Sequence, residues 1–202
     1  DVGAGTTGMS VYEENKLISV AKFPVGAANV SNDLAVGLKI PITAAENLKL
    51  NYGHAVSRDV PAKDQVELKK FFPDAKGVTS RRFISEIIEV RLAEIFEFIN
   101  NELKLIGKHG ELPGGAVLVG GGAKMPGLTD LARQELKIPS QVGLPIEEEW
   151  SVEKEGFKEF LEDPEYVGAL GLVLWGMDGE GWGRQKPLLN FSVRNALRYF
   201  LP

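Results

Sequence analysis

Two glycine-rich turns, one at the start of the chain and one beyond its middle, hold the residues best suited to bind an anion or a flat ring. The first reads Asp1-Val2-Gly3-Ala4-Gly5-Thr6-Thr7, and the second reads Val119-Gly120-Gly121-Gly122-Ala123-Lys124-Met125-Pro126-Gly127-Leu128. Glycine lets backbone N–H groups approach a ligand that a Cβ atom would keep away. The two turns together predict half of a nucleotide-binding cleft.

Composition and charge narrow the class of protein. The chain has 202 residues, of which 44% are hydrophobic and 25% charged, as is ordinary for a globular protein. A net charge of -5 argues against nucleic-acid binding, which needs a basic surface to replace counterions on phosphate. Cysteine is absent, and His54 and His109 are too few for a metal cluster. No apolar run approaches the roughly 20 residues that span a bilayer.

A β-hairpin and a helix are predicted to follow the first glycine turn. Apolar residues favour strands over residues 9–12 and 17–23, joined by a polar turn. Residues 26–38 show helical spacing, with Asn29 or Ser31 as the capping residue.

A second helix is predicted over residues 44–52. It would begin with a capping box formed by Thr43 and Glu46 and end at Gly53. The charged stretch 55–77 has no clean period and is predicted to contain short strands and loops.

The clearest helix in the sequence spans residues 80–105. A stripe of apolar side chains at spacings of three and four predicts one face packed on a core. The stripe consists of Ile84, Ile88, Leu92, Ile95 and Ile99.

A short strand over 115–119 then enters the second glycine turn, followed by a helix over 127–136 and a strand over 140–144. A strand, a glycine turn and a helix in succession form a ligand-binding arrangement in α/β proteins.

The end of the chain changes character. An apolar helix is predicted over 164–176, then a glycine-rich linker over 176–187 and an amphipathic helix over 188–202. In that last helix Arg194 and Arg198 lie outside a broad apolar arc. Its composition is typical of a membrane-surface anchor, and equally of a helix docked on a protein core. The arc contains Leu189, Val193, Ala196, Leu197, Phe200 and Leu201.

Several segments, in order, resemble the C-terminal half of FtsA, the bacterial cell-division family of the actin-like ATPase superfamily. The first glycine turn is similar to the family's second phosphate loop, and the second turn is similar to its adenosine loop. The other matching segments are VSNDLAVGL at 30–38, AENLKLNYG at 45–53, and SRR followed by EIIEVR at 80–82 and 86–91.

The resemblance implies an α/β fold: the ribonuclease-H-like second lobe of an actin-like ATPase with an inserted small α+β subdomain. Residues 1–45 and 110–175 would form the ribonuclease-H-like subdomain, and residues 46–109 the insertion. The chain opens at Asp1 without methionine, inside a glycine turn, so we expect a fragment that lacks the first lobe. We therefore expect that this chain alone neither binds nor hydrolyses ATP appreciably.

The resemblance also implies a site for ATP and Mg²⁺. Asp1 would hold Mg²⁺ through water, because this small cation prefers oxygen ligands and keeps its waters. The residues implied to contact ATP are Gly3, Gly5, Thr6 and Thr7 at the phosphates, Glu46 and Lys49 at ribose and adenine, and Gly120, Gly121 and Gly122 beneath the adenosine.

The phosphate loop departs from the family pattern. Ala4 replaces the usual middle glycine, and Gly8, Ala27 and Ala28 also differ from the commoner residues. If position 4 required a positive φ, alanine there would cost about 1 kcal/mol or more. Weakened phosphate binding is the expected consequence.

The function implied by the resemblance is a cell-division protein that binds ATP, polymerises and tethers FtsZ filaments to the cytoplasmic membrane at the division site. Its partners would be the FtsZ C-terminal peptide, other copies of itself, other division proteins and the membrane surface, but no nucleic acid. The peptide, often acidic in part, would meet Arg81, Arg82 and Arg91, unless these pair with glutamates of their own helix. Val193, Leu197, Phe200 and Leu201 would enter the membrane.

Three other functions remain open. An adaptor of pilus assembly similar to PilM shares the fold and the glycine turns. A small-molecule kinase of the same superfamily would need an acceptor pocket between lobes. An Hsp70-type chaperone would need a β domain after the linker.

Overall fold

The computed structural model describes residues 1–75, 77–145 and 158–178. The chain divides into two units, Asp1–Leu170 and Gly171–Pro202. Of the second unit, residues 171–178 are described, and they form the end of a helix. The predicted amphipathic helix, with Val193, Leu197, Phe200 and Leu201, lies outside the described residues.

The first unit begins with the predicted hairpin. Strand β1 (Thr7–Glu13) pairs antiparallel with β2 (Lys16–Phe23), and Thr7 lies opposite Phe23. Glu14 and Asn15 form the turn, with φ values of 48° and 62°. Two positive φ angles in a two-residue turn match the right-handed twist of hairpin strands. The hairpin prediction is confirmed, with β1 starting two residues earlier than expected.

Helix α1 (Ala27–Leu38) is capped at Gly26, because Asn29 Oδ1 accepts a hydrogen bond of 3.0 Å from the Gly26 N–H. Asn29, at the third helical position, is thus one of the two predicted capping residues. Ser31, the other, is buried within the helix. Position 26 requires glycine for a steric reason, because a Cβ there would lie 2.5 Å from the carbonyl oxygen of Gly3.

Helix α2 (Ile42–Tyr52) begins directly after Pro41, two residues before the predicted start. The predicted capping box is wrong, because Thr43 already lies inside the helix and no side chain caps it. Gly53 ends the helix as expected, and its N–H bonds to the Lys49 carbonyl oxygen at 3.0 Å.

The segment after α2 contains a small antiparallel pair and the longest helix. Strands β3 (Gln65–Glu67) and β4 (Val78–Ser80) pair, and α3 (Arg81–Leu105) follows at once. The predicted apolar stripe of α3 faces the core, where Ile84 and Ile88 are fully buried. Helix α3 packs on α1, which precedes it in the chain, and on α4 (Leu128–Leu136), which follows it.

A parallel pair carries the second glycine turn. Strands β5 (Ala116–Leu118) and β6 (Ser140–Val142) are connected through α4, which packs against β6. Short helix α5 (Lys158–Leu161) precedes a 3-10 turn at Pro164–Tyr166. Helix α6 (Val167–Asp178) follows, so residues 176–178, predicted to belong to the linker, are helical.

One apolar core lies between α1, α2, α3 and α4. Among its fully buried side chains are Val30, Leu34, Leu48, Ile84, Ile88, Ile95, Phe96, Leu128 and Leu131. Within the described part of the chain, no helix combines the length and apolar character needed to cross a membrane.

Candidate functional site

The first glycine loop rests on the N-terminus of α1. The N–H groups of Ala27 and Ala28 donate to the carbonyl oxygens of Gly3 and Ala4, at 2.9 and 2.8 Å. These bonds satisfy two of the donors that every helix leaves free in its first turn. The carbonyl groups of Gly3 and Ala4 therefore face the helix, and their hydrogen bonds anchor the loop to α1.

The N–H groups of the same loop are largely unused. Gly3 N donates to Thr6 O at 3.0 Å, whereas the amides of Ala4, Gly5 and Thr6 have no partner among the described residues. Successive unpaired amides in a turn form an anion-binding concavity. Ala4 is not among the residues with positive φ, so the strain expected from alanine at this position is absent.

Thr7 differs from the rest of the loop. Its side chain is fully buried in β1, and its hydroxyl donates to the Val25 carbonyl oxygen at 2.8 Å. The hydroxyl is engaged in this internal contact, and the expected phosphate contact of Thr7 stays a prediction. Gly3, Gly5 and Thr6 remain as candidate phosphate ligands.

The second glycine loop is joined to the first through Val2. Val2 N donates to Val119 O, and Gly122 N donates to Val2 O, both at 2.8 Å. A Cβ at Gly122 or at Gly120 would lie 2.8 Å from the Val2 carbonyl oxygen, and Gly120 has a φ of 88°. Glycine is thus required at both positions because the Val2 backbone lies so close. The sequence analysis expected a different reason, a contact with adenosine.

Gly121 lacks that constraint, since the nearest atom to a Cβ there is Glu165 Cδ at 3.7 Å. Nearby, Lys124 Nζ bonds to Asp163 Oδ2 at 2.6 Å and to Glu165 Oε2 at 2.9 Å. The hydrogen bond to Asp163 and then that to Glu165 raise the pKa of Lys124, and the bond from Lys124 lowers the pKa of Asp163. These ion pairs tie the second loop to the turn before α6.

Glu46 and Lys49 lie one helical turn apart on α2 and form an ion pair of 2.8 Å. Lys49 is only 6% exposed, and its Nζ also donates to the Ala27 carbonyl oxygen at 3.1 Å. The Ser31 hydroxyl donates to Glu46 Oε2. Because Ala27 N bonds to Gly3 O, these contacts connect α2 with the first glycine loop.

Electrostatics keep Glu46 ionised. Burial raises its pKa, but the hydrogen bonds from Lys49 and Ser31 and the charge of Lys49 outweigh that effect. The pKa of Glu46 is therefore below its ordinary value. Sequence reasoning did not assign a ligand-site role to Ser31, because its contact with Glu46 depends on how α1 packs on α2.

Asp1 places a carboxylate between the two loops. A Cβ on Gly120 would overlap its Oδ1, and a Cβ on Gly168 would lie 3.9 Å from its Oδ2. Among the residues that the structure describes, no group of three His, Cys, Asp or Glu side chains could hold a metal ion. A Mg²⁺ ion here would need most of its ligands from phosphate and water, which is its usual preference.

The three arginines proposed for partner binding all make internal contacts. Arg81 Nε donates to Tyr52 O at 3.1 Å, and Arg82 donates twice to Val60 O, at 3.0 and 2.8 Å. Arg81 thus holds the end of α2, and Arg82 holds the segment before β3, against the start of α3. Their expected role in partner binding stays a prediction.

Arg91 lines an open groove between α1 and α3. It forms a bidentate pair with Asp33, at 2.5 and 2.9 Å, and also contacts Glu94 at 2.6 Å. The pairing with Glu94 on its own helix confirms the alternative considered from the sequence, and Asp33 was not foreseen. The remaining lining residues are Glu86, Ile87 and Val90.

Solved structures identify the class of fold. The chain is similar to the PilM-PilN type IV pilus biogenesis complex, with a TM-score of 0.64 and 22% identity, covering 89% of this chain and 45% of that chain. It is also similar to MreB 5 of Spiroplasma citri bound to AMPPNP, with a TM-score of 0.61 and 13% identity, covering 99% and 54% of the two chains. The fold is that of the actin-like ATPases, in mixed α/β form, and the chain corresponds to about half of each neighbour.

Sequence comparison then gives the family. The profile described as "Cell division protein FtsA" matches residues 1–171. Curated FtsA proteins of Borreliella burgdorferi and Pseudomonas aeruginosa are 32% and 29% identical, over 92% and 91% of this chain and 44% and 42% of their own lengths. This chain belongs to the FtsA family and spans less than half the length of the curated relatives that it matches. The predicted resemblance and the predicted fold class are confirmed.

Proposed function

We propose that this chain supplies the phosphate-binding and base-binding half of an ATP site in a cell-division protein of the FtsA family. The observation that carries the proposal is that the amides of Ala4, Gly5 and Thr6 have no partner among the described residues, while α1 anchors the loop through its carbonyl groups. Fixed N–H groups of this kind favour a phosphate anion. MreB 5 of Spiroplasma citri, which has the same fold, was solved bound to AMPPNP, and this supports a nucleotide as the ligand.

The residues around the loop fit the nucleotide and its metal. Asp1, beside Gly120, would hold Mg²⁺ through water, and the ion would neutralise charge on the phosphates. Glu46 would accept a hydrogen bond from the ribose, and Gly121 leaves room near the second loop. A complete site needs the opposite lobe, because half a cleft cannot enclose ATP.

A comparison of the isolated chain with the full-length protein tests this proposal. A fluorescent ATP analogue should bind the full-length protein, and the binding should require Mg²⁺. The isolated chain should show no affinity tighter than about millimolar, since it holds only part of the contacts. Submillimolar binding by the isolated chain, or no binding by the full-length protein, would contradict the proposal.

In the full protein, ATP binding would accompany polymerisation and the tethering of FtsZ to the cytoplasmic membrane. Val193, Leu197, Phe200 and Leu201, outside the described residues, would form the membrane contact. A single amphipathic helix binds a surface weakly, but a filament presents many such helices at once.

Membrane tethering is tested by sedimentation with anionic liposomes. The full-length protein should sediment with them, and the Leu197→Ala/Phe200→Ala double variant should stay in the supernatant. A control is Leu172→Ala/Trp175→Ala in α6, which removes two exposed apolar side chains elsewhere in the chain. Sedimentation of the Leu197/Phe200 variant at the wild-type level would refute this part of the proposal.

The groove at Arg91 is the proposed docking surface for the FtsZ C-terminal peptide. Ile87 and Val90 offer apolar contacts, and Val90 is 62% exposed. An acidic side chain of the peptide would replace Glu94 at Arg91, because Glu94 is itself about half-exposed. The bidentate pair with Asp33 would keep the guanidinium in place.

Charge reversal tests the groove. Arg91→Glu in the full-length protein should reduce affinity for a labelled FtsZ peptide at least tenfold, because it removes an ionic hydrogen bond and adds repulsion. Lys137→Glu, at the exposed end of α4, is the matched control and should leave the affinity unchanged. Equal affinities for all three proteins would place the peptide elsewhere.

A further inference from the structure

The start of α6 contacts both glycine loops. Gly120 N donates to the Pro164 carbonyl oxygen at 2.8 Å, which joins the second loop to the turn before α6. In the first turn of α6, a Cβ on Gly168 would lie 3.9 Å from Asp1 Oδ2. The same short segment therefore borders Asp1 and the second loop, two parts of the proposed ATP site.

Three charged side chains add to this contact and form an ion-pair cluster. Lys124, the last residue of the 3-10 turn Gly121–Lys124, bonds to Asp163 at 2.6 Å and to Glu165 at 2.9 Å. Asp163 also caps the turn before α6, because its Oδ1 accepts from Glu165 N at 2.9 Å. One carboxylate thus holds the second loop and caps the turn that leads into α6.

The ion-pair cluster is near enough to solvent to open. The side chains of Lys124, Asp163 and Glu165 are 44%, 26% and 54% exposed. Water screens pairs of this kind, so each contributes little to folding stability. A ligand that holds or shifts the turn Gly121–Lys124 therefore changes the fraction of molecules in which the cluster is formed.

The turn that carries Lys124 is also the part of the second loop with room for a ligand. The nearest atom to a Cβ on Gly121 is Glu165 Cδ, at 3.7 Å. A ligand that binds beside Gly121 would thus lie next to a member of the ion-pair cluster. The cluster is in the right place to respond to what binds there.

We infer that the ion-pair cluster is a switch that couples nucleotide binding to the first turn of α6. A bound nucleotide holds the turn Gly121–Lys124, Lys124 then pairs with both carboxylates, and the start of α6 is held in place. Without nucleotide the cluster opens more often. This inference rests on the proposed ATP site. Residues 179–202, which include the predicted membrane helix, follow α6 in the sequence, so the switch lies between the nucleotide site and that helix along the chain.

Hydrogen–deuterium exchange of the full-length protein, with and without Mg²⁺ and ATP, tests the inference. The backbone amides of residues 165–170 should exchange at least about threefold more slowly when ATP is bound. Lys124→Met should abolish this difference. Because coupling is reciprocal, it should weaken ATP binding by no more than about the same factor. Lys124→Arg, which keeps the charge, should retain the difference.

A double variant removes the charges from the other side of the cluster. Asp163→Asn/Glu165→Gln removes both ion pairs but keeps an oxygen that can cap the turn. It should abolish the ATP-dependent difference, as Lys124→Met does. Arg133→Met is the matched control, because Arg133 forms an exposed pair of 2.7 Å with Asp130 on α4. This control should show the wild-type difference.

A purely structural role of the ion-pair cluster predicts a different pattern. The variants would then speed exchange at the start of α6 equally with and without ATP, and the ATP-dependent difference would persist. That result would overturn the inference, as would ATP binding by wild type with no change of exchange in α6. Failure of wild type to bind ATP would reject the proposed ATP site and the inference together.

Discussion

Both loops are rich in glycine, but their glycines are needed for different reasons. In the second loop, a Cβ at Gly120 or Gly122 would meet the backbone of Val2, and Gly120 also needs a positive φ. In the first loop, a Cβ at Gly5 would have no atom of the described residues within 4 Å, and Gly5 does not have a positive φ. Gly120 and Gly122 serve packing within the chain, whereas Gly5 leaves an open surface beside amides that have no partner among the described residues.

Among substitutions in the two loops, we expect the largest loss of stability at Gly120. Gly120→Ala should lower the free energy of unfolding by about 3 kcal/mol, from backbone strain and from the collision with Asp1 and Val2. Urea denaturation measures the change. Gly121→Ala, whose Cβ has no neighbour closer than 3.7 Å, is the control and should stay within about 0.5 kcal/mol. Equal losses of unfolding free energy in the two variants would contradict the claim that Gly120 is required for packing.

A smaller loss is expected at Lys49, which links α2 to the first loop. Lys49→Met should cost about 2 kcal/mol, because it leaves Ala27 O without this donor and Glu46 without its cation. The cost is below that of a fully buried pair, since Glu46 is partly exposed. Lys70→Met is the matched control, because its pair with Glu67 is exposed and 3.6 Å long, and it should cost about 0.5 kcal/mol at most.

The same ion pair predicts a pH dependence. The pKa of Glu46 is lowered on folding, so its stabilising effect is present above its ordinary value of 4.5 and is lost as the pH falls through the folded pKa. The difference in free energy of unfolding between wild type and Glu46→Gln should therefore shrink below pH 4.5. In a Lys49→Met background that pH dependence should weaken. A difference that stays constant from neutral to acidic pH would contradict this.

Sequence reasoning succeeded where the signal is local. The alternation of the hairpin, the apolar stripe of α3 and the order of the family motifs predicted these elements and the family correctly. It failed at the start of α2, which begins at Ile42 without the predicted capping box, and Glu46 contacts Ser31 of α1 instead. Helix starts depend on neighbours that a local pattern does not contain.

The sequence indicated which segments form the candidate site, but it did not indicate what each side chain contacts. The motifs brought together both glycine loops, Glu46 and Lys49, and the structure places these groups in one bonded network. The roles of Ser31, Thr7 and the arginines depend on contacts between segments far apart in sequence. Spacing within one segment carries no information about those contacts.

The central claim is that the first loop contacts phosphate, whereas Gly120 and Gly122 of the second loop pack against Val2. Gly5→Ala in the full-length protein tests it most directly, with ATP affinity and the free energy of unfolding measured on the same sample. The expected result is stability unchanged or raised by up to about 1 kcal/mol, because alanine restricts the unfolded chain. ATP affinity should fall at least tenfold, because the methyl group occupies the open face of the amides. Wild-type ATP affinity in a folded Gly5→Ala protein would contradict the account.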